Sequence, residues 1–319
     1  MSVKWGFTLS SEEHPPARLV EIARRAEAAD FDFVSISDHY HPWVEEQGHA
    51  SFVWSVLGAV AAATDKIEVA VGVTCPIMRI HPAVLAQAVA TTGSMLDGRF
   101  VWGVGTGEAL NEHITGGRWP PHPIRLEMLE EAIEVIRRLW SEKSVTHYGT
   151  YFTVEDARIF DRPAQDVPIV VSAFGPEAAK TAAKVADGLW TSGEKAVIDE
   201  YRRSGGKGNV YSQLTLCWGE SGEKARATAH RLWAFSGLPG QLNQDLRTIA
   251  DYEDAVGLVT EAQVAEKIPC GPSTEPIVEM ATAAVEAGVD HLYFHQIGPD
   301  QEAFLEFWQK ELQPALADL

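Results

Sequence analysis

Short apolar runs alternate with amphipathic stretches along the chain. Residues 3–9, 33–37, 67–74 and 100–105 read as strands, with helices between them at 15–29, 51–64 and 82–96. These strands are apolar at consecutive positions, not at alternate ones, as expected of a sheet buried on both faces. A long helix at 124–141 follows, its apolar face set by Leu126, Leu129, Ile133, Ile136 and Leu139. Alternating residues in "VTHYGTYFTVEDARIF" predict a hairpin turning at 147–150. The βα rhythm then resumes with strands at 168–173, 189–191, 211–218 and 291–294. Helices are expected at 176–186, 195–204, 223–233, 277–287 and 301–316. The stretch 236–257 is polar and irregular and reads as a lid or insertion. Eight βα units predict an α/β fold, a TIM-like (β/α)8 barrel; a doubly wound open sheet is the alternative. We expect a single domain over residues 1–319, with insertions at about 106–123, 145–160 and 236–260.

Composition narrows the function classes. The chain has 319 residues, 45% of them apolar, and a formal charge of −19. Such an excess of acid repels phosphate backbones and anionic lipid, so no nucleic-acid or membrane partner is expected, and a small-molecule substrate is. Cys75, Cys217 and Cys270 lack CxxC or zinc-site spacing. No stretch reaches the roughly 20 apolar residues of a membrane span, and "MSVKWGFTL" lacks the pattern of a secretion signal. The expectation is a cytoplasmic protein without disulfides.

In a parallel barrel the strand C-termini converge on one mouth, so polar residues just after strands are the candidates for chemistry. These fall at 10–13, 38–43, 74–76, 105–111, 172–176, 191–195 and 295–298, and few of them are cationic. "SISDHYHPW", 35–43, carries the densest chemistry, and three readings compete for it. They are a metal site, a proton-transfer site beside a flat cofactor, and strand-end polar residues satisfied by loops. Residues i and i+2 of extended backbone face opposite ways, so His39 and His41 converge on a metal only if the strand has ended. No metal is expected. "FVWGVGTGEALNE", 100–112, has the glycine spacing of a strand-to-helix turn that bare backbone can bring close to a ligand, but it is neither a P-loop nor a dinucleotide fingerprint. It places Glu108 at the mouth, with Asn111 one helical turn on.

Together, "SDHYHPW", "VTCPIMRIHPAVLAQAVAT", "GVGTGEALNE", "DGLWTSG" and the closing "GVDHLYFH…DQEAFLEFWQKEL" resemble the luciferase-like superfamily. Within it they resemble the branch of the F420-dependent glucose-6-phosphate dehydrogenases. The resemblance implies a barrel, often a homodimer, holding the deazaflavin coenzyme F420. It also implies hydride transfer between an alcohol carbon and C5 of F420. On that basis His39 is the general base, Trp43 packs at the reacting centre, Glu108 acts near the polar end of the ring, and Asp38 contacts the ring. Gly72 and Val73 match the family's cis-peptide backstop, although Gly72 stands where Ser is common and Cys75 where Thr is. Gly107, Asn111, Phe174 and Gly175 complete the implied cofactor set, Phe174 replacing a second Gly. The implied substrate set is Glu12, Trp43, Thr191, Glu194 and Lys195. Sugar-phosphate members carry Lys directly after Thr-Ser-Gly, where this chain has Glu194. The expected substrate is therefore an uncharged alcohol or its carbonyl counterpart. The alternatives are a glucose-6-phosphate dehydrogenase, an FMN-dependent monooxygenase and a non-catalytic cofactor-binding barrel.

Overall fold

In the computed structural model, which describes residues 3–319, eight strands pair in parallel and close on themselves. They are β1 (Lys4–Leu9), β2 (Phe33–Ile36), β3 (Glu68–Thr74), β4 (Phe100–Val104), β7 (Ile169–Ser172), β8 (Gly188–Thr191), β9 (Val210–Leu216) and β10 (His291–Gln296). Two further strands, β5 (Val145–Tyr148) and β6 (Thr153–Ala157), form the expected antiparallel hairpin outside the barrel. The circle runs β1-β10-β9-β8-β7-β4-β3-β2, and β1 seals it by pairing Phe7 with both Phe294 and Val34. The fold is thus the TIM-like barrel that the rhythm of the chain predicts.

Strand alternation sorts the apolar side chains into two cores. Phe33, Ala70, Val101, Val170, Trp190, Tyr211 and Tyr293 point inward and fill the barrel. Their neighbours, among them Val34, Val69, Val71, Phe100, Trp102 and Val171, point outward against the helices, where Leu57, Leu85, Val89 and Ile133 meet them. This two-sided burial is why the strands read as continuous apolar runs.

Helix bounds follow the periodic stretches, with one shift explained by chemistry. The long helix spans His122–Ser141, starting earlier than expected because proline is accommodated in a first turn, where its missing N–H has no intrahelical partner. The last helix is interrupted: Gln301–Phe307 passes into a π turn at Trp308–Leu312, where the Trp308 indole donates to the Ala29 carbonyl.

The expectation of an irregular stretch at 236–257 is corrected. It contains helices Leu242–Asp245 and Ile249–Val256, and Glu261–Ala265 lies just beyond. Thr248 with Asp251, and Thr260 with Gln263, close capping boxes at two of these helices. Phe235, Leu238, Tyr252, Val259, Val264 and Ile268 form a third core, and Trp43 from the mouth is part of it. The segment is a packed cap.

At the bend of β3 the peptide Gly72–Val73 is cis, and pairing with β4 shifts register between Val71 and Thr74. Gly72 faces Trp190, whose indole donates to the Tyr293 hydroxyl at 2.9 Å. A Cβ at position 72 would lie 2.4 Å from the Trp190 ring and 2.8 Å from Ser35 Oγ. Gly72→Ser should therefore destabilise the chain by about 1–3 kcal/mol, the usual range for overpacking. Urea unfolding monitored by tryptophan fluorescence tests this, and an unchanged midpoint would show that Trp190 can move aside.

Candidate active site

The strand C-termini surround a cavity of about 490 Å³. Of the residues singled out from sequence, Glu12, Asp38, His39, Trp43, Gly72, Val73, Cys75, Gly107, Glu108, Asn111, Phe174, Gly175 and Thr191 all line it. Glu194 and Lys195 do not. Gly193, at φ +84°, turns the chain away from the mouth before them. Glu194 stands just ahead of the following helix without a side-chain capping bond, and Lys195 pairs on the surface with Asp199 at 2.8 Å. No Lys or Arg lines the cavity among the described residues.

His39 sits between two carboxylates. Its Nδ1 lies 3.4 Å from Glu12 Oε1 and 3.3 Å from the His41 carbonyl, while Nε2 lies 3.5 Å from Glu108 Oε2. Two acceptors at Nδ1 favour the tautomer protonated there, which leaves Nε2 as the basic atom. Glu12 is itself fixed by hydroxyl donors, Ser37 at 2.7 Å and Ser10 at 3.0 Å. Burial pushes the Glu108 carboxyl up to about 7, and Glu12 and Glu112 act in the same direction against the opposing pull of His39 and Asn111. Glu108 can therefore hold or release a proton near neutrality.

Asn111 ties the two sequence motifs together. Its Oδ1 accepts from the Tyr40 and His41 amides at 2.9 and 3.1 Å, and its Nδ2 donates to Glu108 at 3.1 Å. Trp43 lies 5.0 Å from the His39 ring and stacks on Phe235 at 4.5 Å. The amide of Trp43 donates to Gln47, which in turn donates to the Leu232 carbonyl.

Beneath this layer Arg79 is buried, donating to Asp38 at 2.9 Å and lying 3.6 Å from Glu112. Sequence reasoning passed over Arg79; its signal was a cation in "CPIMRI", just behind a strand end. Burial, reinforced by Glu112, pushes the Cys75 thiol well up, so it is not a nucleophile.

The residues fit a flat, polar-edged ring on the β2–β3–β4–β7 side. Asp38 Oδ2 is buried without a partner among the described residues, and the β3 bend presents backbone to the cavity. At Gly107, φ is +75° and a Cβ would strike Cys75 Sγ at 2.5 Å, so bare backbone is required in this wall. Gly175 stands ahead of helix Pro176–Val185, where a Cβ would meet nothing within 4 Å, and Phe174 beside it is exposed.

The opposite wall carries polar residues outside the site set proposed from sequence. Gln213 and Thr215 lie on β9, and His295 is the penultimate residue of β10. His295 Nε2 donates to Glu13 at 3.0 Å, and Glu13 also accepts from the Trp233 indole and the Gly298 amide, each at 2.7 Å. Although burial pushes the Glu13 carboxyl up, His295 and the other donors bring it below the ordinary carboxylate value. Alternate polar positions within a mostly apolar strand were the available signal for Gln213 and Thr215.

The family model described as luciferase-like monooxygenase matches residues 2–291. The chain is 34% identical to the F420-dependent glucose-6-phosphate dehydrogenase of Microbacterium testaceum (strain StLB037), over 98% of this chain and 97% of that one. It is 35% identical to the enzyme of the same name from Amycolatopsis mediterranei (strain U-32), over 99% of each. A solved F420-dependent secondary alcohol dehydrogenase, in complex with an F420-acetone adduct, superposes with a TM-score of 0.91 at 30% identity and covers 99% of both chains. The tetrahydromethanopterin reductase of Methanopyrus kandleri shares the fold, with a TM-score of 0.80 at 22% identity. With the barrel, the bent third strand and the histidine between two carboxylates in place, the chain belongs to the luciferase-like family and, within it, to the F420-dependent dehydrogenases.

Proposed function

We propose that this enzyme moves a hydride between the carbinol carbon of an uncharged alcohol, or its carbonyl counterpart, and C5 of F420, with His39 as the base. The observation that carries this reading is His39, set between Glu12 and Glu108 on the wall of a cavity that also holds the bent β3. When bound, F420 supplies a two-electron hydride acceptor. Asp38, Gly72, Val73, Cys75, Gly107, Asn111 and Gly175 would hold it, with Phe174 at the rim. The His41 carbonyl accepts from His39 Nδ1, with Glu12 3.4 Å away, and together they keep the ring oriented, so Nε2 can take the alcohol proton as the carbinol hydrogen leaves with its electron pair. Glu108, near its midpoint at neutral pH, lies close enough to Nε2 to exchange a proton. Trp43 closes the same space against water.

An uncharged substrate is favoured by the cavity wall. A phosphate ester would meet Glu12, Glu108 and Glu112 there, with no ammonium or guanidinium among the described lining residues. The relatives named glucose-6-phosphate dehydrogenases make that ester the competitor to test. Following F420 absorbance, propan-2-ol and other neutral secondary alcohols should turn over with kcat/KM at least about tenfold above that of glucose 6-phosphate, a gap of about 1.4 kcal/mol. His39→Ala should lower kcat by about 10²–10⁴ while F420 affinity stays within a few-fold. Preference for the phosphate ester would overturn the substrate class, and a near-normal kcat in the variant would overturn the base.

Glu108 makes a separate prediction in pH. Its folded-state value lies above the ordinary 4.5. Its protonated form therefore favours folding fully only below about 4.5, and that contribution is lost as pH rises through about 7. Glu108→Gln, which stays neutral, should gain Tm over the wild type at pH 8 and show little difference at pH 5. The same offset at both pH values would show that Glu108 titrates normally.

We also place the enzyme in the cytoplasm, in keeping with its three free cysteines, and assign it a homodimer. No helix is long and apolar enough to cross a membrane among the described residues. Exposed Phe52, Val84 and Met95 lie at the ends of helices Val53–Ala63 and Pro82–Leu96, which pack side by side. Large apolar side chains left in water on adjacent helices suit a self-complementary face. Light scattering should give twice the chain mass, and Met95→Lys should shift it toward one chain; a monomeric wild type would remove the assignment.

A further inference from the structure

Glu12 and Glu13 are consecutive, yet each serves a different histidine of the cavity. Glu12 lies 3.4 Å from His39 Nδ1 on one side, and Glu13 accepts from His295 Nε2 at 3.0 Å on the other. With its carboxylate also taking the Trp233 indole and the Gly298 amide, Glu13 fixes the His295 ring in one orientation. The Trp233 ring, 4.2 Å away, packs against it. What remains is Nδ1. The residue is 1% exposed, Nδ1 has no partner among the described residues, and the ring lines the cavity. A ring nitrogen held so firmly and left unpaired is set for something that enters the cavity.

Two of its neighbours, Thr8 and Thr191, share the condition, while Gln213 donates to Thr215 Oγ1 at 2.8 Å. In barrel order, Thr8 on β1, His295 on β10, Thr215 and Gln213 on β9 and Thr191 on β8 form one arc of the wall. His295 and Thr215 are paired in register. Thr8 Oγ1 and Thr191 Oγ1 are buried and unpaired as well. The arc thus offers three unpaired polar atoms, and none of its residues carries a fixed charge. A carboxylate or phosphate would find no counter-ion on it, and an alkyl group would leave all three atoms unmet. With Nε2 donating to Glu13, Nδ1 of the neutral ring is an acceptor; a hydroxyl can donate to it, and can meet a threonine oxygen too.

We infer that His295 is a specificity-determining residue that binds a second hydroxyl of the substrate, so the preferred substrate is an uncharged diol or polyol and not a simple secondary alcohol. The inference rests on the hydride-transfer reading for the reacting carbinol at His39, and it adds the group bound at the far wall.

The experiment compares propan-2-ol, butan-2-ol and pentan-2-ol with propane-1,2-diol, butane-1,3-diol and pentane-1,4-diol on the full-length protein. Two readouts are used: kcat/KM with F420, and binding without F420 read from tryptophan fluorescence, for which Trp233 is well placed. At least one diol should exceed its matched mono-ol by about tenfold in both, since a site built to bond a hydroxyl discriminates against its absence. In His295→Gln, the side-chain amide can still donate to Glu13 but offers no equivalent of Nδ1, so the diol-to-mono-ol ratio should fall to about one. Should that variant fold poorly, Thr191→Val removes a hydroxyl from the same arc and should cut the ratio by about threefold. Diols and mono-ols that bind and react alike in the wild type would overturn the inference, because the partner of Nδ1 would then be only a water. A ratio unchanged in His295→Gln would do the same. If no alcohol reduces F420 yet diols still bind better through His295, the hydride-transfer reading falls and this inference stands.

Discussion

Pairing of the first strand with the last is the constraint on which the site depends. Lys4 lies opposite His291 and Phe7 opposite Phe294, contacts made across nearly the whole chain. Until that seam forms, Glu13 and His295 are far apart in sequence and the wall of the cavity is open. The seam is held mainly by apolar contact: Trp5 stacks on Phe294 and Phe7 on Phe304, with Trp308 against Phe31 behind them. Such distant pairings form late because loop closure must precede their gain. The cavity is therefore a property of the closed barrel and cannot be assembled by any one βα unit.

Electrostatics inside the mouth follow from how four acidic side chains are divided. Arg79 lies against Asp38 and Glu112 below, and a lone buried cation serving two carboxylates cannot also neutralise the layer above. Glu12 is stabilised by neutral hydroxyl donors and His39 instead. Glu108 receives one amide donor, the weakest provision of the set, and burial raises its carboxyl to about 7; burial raises Glu112 as well, against the pull of Arg79. How readily a buried carboxyl at this mouth holds a proton thus follows from its burial and from the donors that reach it.

How much of this was legible in the sequence depended on the range of the interaction. The barrel was, because two-sided burial writes itself as apolar runs and helices as a 3.6-residue period. The capping helices at Ile249–Val256 and Glu261–Ala265 were not, since 8 and 5 residues give too little periodicity to stand out, although their Thr-x-x-Asp and Thr-x-x-Gln caps could have been read. Glu194 and Lys195 were assigned to the substrate side by their place after Thr-Ser-Gly, but the left-handed Gly193 sends the chain outward, a feature that position alone does not reveal. The Arg79 pairs and the Glu13–His295 contact are tertiary, and no local spacing announces them. Gly72 was noticed for its unusual identity; its reason, the Trp190 ring filling the space of a side chain, needed the packed interior.

Trp43 shows how the cap and the chemistry are coupled. Its ring lies beside His39, yet its other contacts, Phe235 stacked and Tyr252 edge-on at 5.2 Å, belong to the segment after β9. Gln47 adds a polar tie by accepting from the Trp43 amide and donating to the Leu232 carbonyl. Phe235 also packs on Trp233, which touches His295 and donates to Glu13. A continuous line of rings therefore runs from the proposed base, through the cap, to the histidine on the far wall. The cap core that buries Trp43 is small and separate from the cores of the barrel, so it can loosen while the barrel stays closed. Loosening it would free both ends of that line at once. The cap thus contributes to the position of His39 and His295 without any side chain of Leu242–Asp245 or Ile249–Val256 having to take part in proton transfer.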